Sequence, residues 1–174
     1  MTGLTIGRKK YVEAEPLMLD LAPKFVEARH FFLNAIDEDA EAYNVVFNAF
    51  KLPKETDEDK AFRSQKIQEA TLIAALVPFN VASKAVEMMP LIRQVADNGN
   101  QNAITDCCVA MMCARTAALG AILNVRINLT SLKDQDKVTE FTKECNRLEN
   151  EARHFENDLL ENVKTVSYTH LRAH

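Results

Sequence analysis

The chain has 174 residues, 47% of them apolar, with four glycines and no tryptophan, so it is long enough to bury a core and too apolar to be disordered. A formal charge of -4 excludes a general electrostatic footprint for nucleic acid. The cysteines at 107, 108, 113 and 145 show neither paired CxxC zinc spacing nor the density of a disulfide scaffold. Reduced thiols and a cytoplasmic setting are expected.

MTGLTIGRKKY places its basic residues after its apolar ones and has no long apolar core, so it is not a secretory signal. From Glu13 to Phe50 the pattern predicts one long helix. Leu21, Phe25, Ala28, Phe32, Ile36, Asp39, Tyr43, Val46 and Phe50 follow at threes and fours, although Pro16 and Pro23 blur its start. Asp39 falls inside this stripe and is expected to face the core or a partner helix, either as a paired structural carboxylate or as part of a site.

KLPKETDED breaks the pattern, and Thr56 with Asp59 three residues later predicts a capping box that opens a second helix. Its stripe is Arg63, Ile67, Ala70, Ala74, Val77, Val81, Ala85, Met88, Ile92 and Val95, with a kink or break expected near Pro78 and Pro90. Arg63 stands at the helix entrance, suited to pairing with Asp39 or with a ligand carboxylate.

Gly99 ends that helix, and Asn100 and Asn102 cap the next, which is expected to begin near Asn102 and to organise the rest of the chain. A seam of small residues, Ala103, Cys107, Ala110, Ala114, Ala117 and Ala121, ends at Asn124 and predicts a helix wrapped on most faces. Asp106, Arg115 and Arg126 interrupt its apolar run, so no membrane span is expected. Asp106 sits in the first turns, where the helix dipole favours an anion.

Ser131 with Asp134 opens the last helix, whose seam is Val138, Phe141, Cys145, Leu148, Ala152, Phe155 and Leu159. Periodicity stops beyond Val166, so residues 1–166 read as one domain and 167–174 as a disordered or non-native tail. EARHF occurs at 27–31 and at 151–155, but the phase of Glu27, His30 and His154 turns them away from the seams, against a di-iron bundle and any metal site. The fold class is all-α: long antiparallel helices in an up-and-down bundle, dimerising because the stripes offer more apolar face than one small bundle conceals.

LTIGRKKY, DEDAEAYN, KLPKETDEDKAFRSQKIQEA, and GNQNAITD followed by LNVRINL stand in an order that resembles the cyclodeaminase/cyclohydrolase family, the all-helical half of formiminotransferase-cyclodeaminase. The likeness covers roughly residues 4–165. It implies a folate enzyme, with formiminotetrahydrofolate cyclodeaminase first and methenyltetrahydrofolate cyclohydrolase as the alternative. It also implies a homodimer, a formiminotransferase partner and no cofactor beyond the tetrahydrofolate substrate. In one reaction N10 attacks the formimino carbon on N5 and ammonia leaves; in the other, water attacks the methenyl carbon and the ring opens. Both need proton transfer, which a buried carboxylate with a raised pKa can perform near neutrality.

The resemblance implies Asp106 as the proton-transfer group, with Asp39 as its partner or as a contact to the pterin. Arg8, Lys9 and Lys10 suit the glutamate tail, joined by Arg63 or Arg126, and Asn100, Asn102 and Asn124 suit the pterin edge. In the family a PGGGS loop and two helical segments precede the motif that LTIGRKKY resembles. A fragment, with impaired binding, is therefore expected. The competing reading is a non-catalytic helical assembly.

Overall fold

The structure, a computed structural model, describes residues 2–171 and the side-chain surroundings of residues 2–164. Among the described residues every regular element is helical: α1 (Thr2–Thr5), α2 (Glu15–Phe50), α3 (Asp57–Asn98), α4 (Ile104–Leu129) and α5 (Gln135–Leu171), with single 3-10 turns at Lys9–Tyr11 and Gln101–Ala103. Short connections make each of the four long helices antiparallel to the next, so α2 and α4 run in the same direction. The all-α up-and-down bundle expected from the sequence is present.

The organising helix is α3 rather than α4. It packs against α2, α4 and α5 and contributes twelve buried residues, among them Ala75, Ala82, Ala85, Met89, Ile92 and Ala96. It passes through Pro78 and Pro90 without a break. Helix α4 buries one face only, formed by Cys107, Cys108, Met111, Ala118, Ile122, Val125 and Leu129. Val109, Leu123 and Ile127 are exposed at 59%, 64% and 64%, so the expectation of a helix wrapped on most faces is corrected. Small residues do not by themselves fix the buried side: Ala110 and Ala117 of the predicted seam are exposed.

The register of α2 is a second correction. Its buried line is Leu21, Ala28, Ala35, Ala42 and Ala49, a strict seven-residue repeat, whereas Ile36, Tyr43 and Phe50 of the predicted stripe are exposed. A 3.5-residue seam drifts about 20° per heptad from a straight 3.6-residue stripe. The two agree at Leu21 and have parted by roughly 80° at Ala49. Alanines win because their short side chains let α2 lie close on the alanines of α3, and the larger residues are turned outward.

The ends are built from local hydrogen bonds. Thr56 and Asp59 form the predicted capping box, with Asp59 N donating to Thr56 Oγ1 at 3.0 Å and Thr56 N donating to Asp59 Oδ2 at 3.1 Å. At α5 the cap is Asp134 and not Ser131: Lys137 N donates to Asp134 Oδ1 at 3.1 Å. The α5 seam is as predicted, with Cys145, Leu148, Ala152 and Leu159 buried. The helix runs through Leu171, and residues 172–174 lie outside the described residues.

Two helices carry 18-residue windows long and apolar enough to cross a bilayer, within Asp57–Asn98 and Gln101–Leu129, at mean hydropathies of 1.4 and 1.6. In this fold 44% of the first window and 28% of the second are buried, which is the packing of a core helix and of a helix with an uncovered face.

Candidate functional site

Helices α2 and α4 both lean on α3 and leave a trough between them. Its floor is α3, and Cys107, Ala110, Ala117 and Ala121 of the α4 seam form part of one wall. Two cavities open along it. One, of about 390 Å³, is lined by Phe32, Ala35, Ile36 and Asp39 of α2, Val77, Pro78 and Val81 of α3, and Ala117, Gly120, Ala121 and Asn124 of α4. The other, of about 350 Å³, is lined by Thr2, Phe25, Ile92, Val95, Asp106, Cys107 and Ala110. Each falls within the size range of small-molecule sites, mostly apolar with few polar groups.

Both candidate carboxylates therefore line the trough, but they do not meet. Phe25 borders the Asp106 cavity, and Asp39 lies fourteen residues further along α2, about 21 Å at the helical rise. Within one chain Asp39 cannot be a proton-sharing partner of Asp106, because such partners stand within hydrogen-bond reach. Both side chains are exposed, so Asp39 does not face the core of its own bundle, which leaves the alternative of a partner helix. The heptad drift of α2 explains it: the position that a straight stripe buries has rotated to the rim of the trough.

Asn100 is the centre of a clasp. Its Oδ1 accepts from Tyr11 Oη at 3.1 Å and from Asn102 N at 3.1 Å, and its backbone N donates to Thr5 Oγ1 at 3.0 Å. Its Nδ2 donates to Leu4 O at 3.5 Å. The N-terminal segment is thereby folded onto the α3–α4 corner. The amide proposed from sequence as a pterin contact is engaged in this clasp. Gly99 is required beside it, because a Cβ there would stand 2.5 Å from the Val95 carbonyl oxygen. Asn102 is exposed, and Asn124 Oδ1 accepts from Asn128 Nδ2 at 3.2 Å while lining the Asp39 cavity. Lys9 and Lys10 are exposed on the segment that the clasp holds, with Lys10 Nζ 5.5 Å from the Tyr11 ring centroid.

The two arginines are placed away from the trough. Arg63 Nε and Nη2 donate to Phe50 O at 3.3 and 3.0 Å, closing the C-terminus of α2. Asp39 is eleven residues before Phe50, about 16 Å along the helix, so the pairing of Arg63 with Asp39 is not formed. Arg126 Nη2 donates to Asn146 Oδ1 at 2.9 Å and Glu149 Oε2 at 2.7 Å, tying α4 to α5. The Glu149 carboxyl is held below its ordinary pKa by the hydrogen bond from Arg153 first and that from Arg126 second. Arg115 Nε pairs with Glu156 Oε2 at 2.9 Å on the same interface. Sequence reasoning missed this pair, although two arginines on an otherwise apolar helix were a signal that its second neighbour is acidic.

Burial pushes the Cys107 thiol up to about 11, so the cysteine beside Asp106 serves as an apolar wall and not as a nucleophile. Glu27, His30 and His154 are exposed, as their phase predicts. Gly120 is a signal in the sequence for this site: glycine inside a helix costs about 1 kcal/mol relative to alanine, and here it lines the Asp39 cavity.

Residues 1–147 match the family profile described as formiminotransferase-cyclodeaminase. The chain is 39% identical over 163 residues to the methenyltetrahydrofolate cyclohydrolase of Methylorubrum extorquens, covering 94% of this chain and 78% of that one. It is 32% identical over 154 residues to the formimidoyltransferase-cyclodeaminase of Sus scrofa, covering 88% of this chain but 28% of that longer protein. Its fold matches the crystal structure of formiminotetrahydrofolate cyclodeaminase from Thermotoga maritima with a TM-score of 0.84 at 22% identity, over 95% of this chain and 79% of that one. With the family's motifs in order and its helical fold in place, the chain belongs to the formiminotransferase-cyclodeaminase family of folate one-carbon enzymes.

Proposed function

We propose that this chain hydrolyses 5,10-methenyltetrahydrofolate, with the Asp106 cavity as the reaction site. The observation that supports it is the convergence at one end of the bundle of an apolar cavity, a free-standing carboxylate and the cationic 8–10 segment clasped to the same corner. The extent of similarity to the Methylorubrum cyclohydrolase, across most of both chains, favours hydrolysis over the cyclodeaminase reaction that the sequence motifs put first.

In this reading Asp106 takes a proton from the attacking water. The water oxygen bonds to the methenyl carbon, the bond from that carbon to N5 breaks as the hydroxyl proton passes to N5, the formyl group stays on N10, and the proton taken by Asp106 passes to solvent. The apolar walls, Phe25, Ile92 and Val95, exclude bulk water from the face of the pteridine, which strengthens the carboxylate's interaction with the cationic methenyl group. Asp39 and Asn124 lie beyond the reach of a pteridine held there by the same chain.

A homodimer is part of the proposal. Leu19, Val26, Leu33, Ile36, Tyr43 and Phe47 are exposed along α2, as are Val109, Leu123 and Ile127 along α4. Uncovered apolar surface of this extent marks an association surface. Sedimentation at micromolar concentration is expected to give a dimer.

The function is tested with two substrates in parallel. Loss of the methenyl chromophore above the buffer rate supports hydrolysis. Ammonia release from 5-formiminotetrahydrofolate, without faster methenyl hydrolysis, supports cyclodeamination instead. Activity on neither removes the enzyme reading.

A further inference from the structure

The cavity beside Asp39 takes no part in the reaction placed at Asp106, yet one end of it is built as a polar site. Its two walls run in parallel, because α2 and α4 have the same direction. Asp39 is the last residue that α2 contributes to the lining and Asn124 the last that α4 contributes, so carboxylate and amide stand at the same end on opposite walls. The other end is apolar, with Phe32 on α2 and Ala117 on α4. From Phe32 to Asp39 is about 10 Å at the helical rise, the length of one ring with a short polar head.

The amide is oriented by an interruption in the floor. Pro78 lines the cavity and has no N–H, so the Ala74 carbonyl lacks its helical donor. Asn128 Nδ2 supplies the missing bond, donating to Ala74 O at 3.1 Å, and it also donates to Asn124 Oδ1 at 3.2 Å. With its oxygen turned to Asn128, Asn124 leaves its Nδ2 as a donor that meets no acceptor among the described residues. Asp39 has no ion-pair or hydrogen-bond partner among them, and no Lys, Arg or His lines the cavity.

One carboxylate with one amide donor across from it matches a head group that carries a cationic N–H beside a neutral carbonyl oxygen. We propose that this cavity is a second binding site, separate from the reaction site, for an apolar primary amine whose ammonium group stands next to an amide carbonyl. The ammonium donates to Asp39, the carbonyl accepts from Asn124 Nδ2, and the apolar body lies on Phe32, Ile36 and Val81. A free amino acid fits less well, because its carboxylate would face Asp39 with no cation in the lining to offset the repulsion. The same head group occurs on amino-acid amides and on the N-terminal residue of a peptide.

The experiment is calorimetric titration with L-phenylalaninamide, with phenethylamine, which lacks the carbonyl, and with 3-phenylpropanamide, which lacks the ammonium. A buffer at about pH 6.5 keeps an α-amine of ordinary pKa, about 8, charged. Saturable binding of phenylalaninamide is expected, with Kd on the order of 1 mM for a ligand of this size. Loss of the ammonium is expected to weaken binding roughly 10-fold, and loss of the carbonyl roughly 3- to 10-fold. Asp39→Asn is expected to remove the first difference and Asn124→Leu the second, each leaving the other in place. Gly120→Phe, which fills the cavity, is expected to abolish binding, and Asp106→Asn to leave it unchanged. Phenylalanyl-glycinamide that binds as well as phenylalaninamide identifies a peptide end as the ligand, and its exclusion identifies a free amino amide.

Equal affinity of the wild type for all three compounds, or saturable binding of none of them, would overturn the proposal. Loss of binding in Asp106→Asn with none in Asp39→Asn would overturn it as well. Asp39 is exposed, so Asp39→Asn folds whatever happens to Gly120→Phe, and an ammonium preference that survives in that variant alone is sufficient refutation.

Discussion

Ala42 and Ala40 on α2 offer a matched test of the packing. Ala42 is 4% exposed on the seam against α3, and Ala40, two residues away and about 200° around the helix, is exposed. Leucine at either site keeps helix propensity nearly unchanged, since alanine and leucine head the scale. At Ala42 the added branched carbons meet a close-packed alanine interface and force α2 off α3. Overpacking of this kind costs about 1–3 kcal/mol. For a domain of this size, each kcal/mol corresponds to a loss of about 2–4 °C in Tm. At Ala40 the change is expected to stay within about 0.5 kcal/mol. Urea denaturation followed by far-UV circular dichroism measures both, read at unchanged m-value. A neutral Ala42→Leu beside a destabilising Ala40→Leu would mean that α2 packs on its large residues, and the heptad account would fail.

Three further outcomes follow from the site. Asp106→Asn keeps the shape and removes the proton acceptor, so methenyl hydrolysis should fall by about 10²–10⁴ with Tm nearly unchanged; equal turnover removes Asp106 from catalysis. Native protein at pH 8 should react rapidly with a thiol reagent at Cys113 alone, because Cys107, Cys108 and Cys145 are buried with raised pKa values, and mass mapping of a second fast thiol would contradict the burial. Gly99→Ala should destabilise by roughly 1–3 kcal/mol, since its Cβ meets backbone and not a flexible side chain; thermal melts showing no loss would mean that the corner relaxes freely.

The helices were legible because their signals are local. Thr56 and Asp59, Gly99, and the α5 seam depend on residues within a turn or two, and each is found where spacing put it. What misled was the assumption that large apolar residues mark the buried side. On α2 the contact with α3 is made by alanines at seven-residue spacing, and supercoiling rotates the seam away from the straight stripe that Tyr43 and Phe50 extend.

Candidate site residues fared by the same rule. Asp106 and Asn124 line the trough because helix phase alone determines their side. An arginine fork suits carboxylates, which made Arg63 a candidate for Asp39 or a ligand and Arg126 a candidate for a ligand, yet nothing in their own helices tells which partner is nearer. For Arg63 it is the end of the preceding helix, for Arg126 the acidic side of α5. The clasp of Asn100 with Tyr11 joins residues 89 positions apart, and no local pattern encodes such a pair.

The claim that catalysis belongs to the Asp106 cavity and not to the Asp39 cavity is tested most directly by filling each in turn. Ala110 is exposed on the wall of the first, and a Cβ built at Gly120, on the wall of the second, meets nothing within 4 Å, so both side chains start from open space beside the cavity and not from the core. The measurement is kcat/KM for methenyl hydrolysis by Ala110→Phe and by Gly120→Phe. A fall of about 10²-fold or more in Ala110→Phe, with Gly120→Phe close to wild type, is the predicted result. The opposite pattern, an active Ala110→Phe and an inactive Gly120→Phe, would place the chemistry at Asp39 and contradict the account.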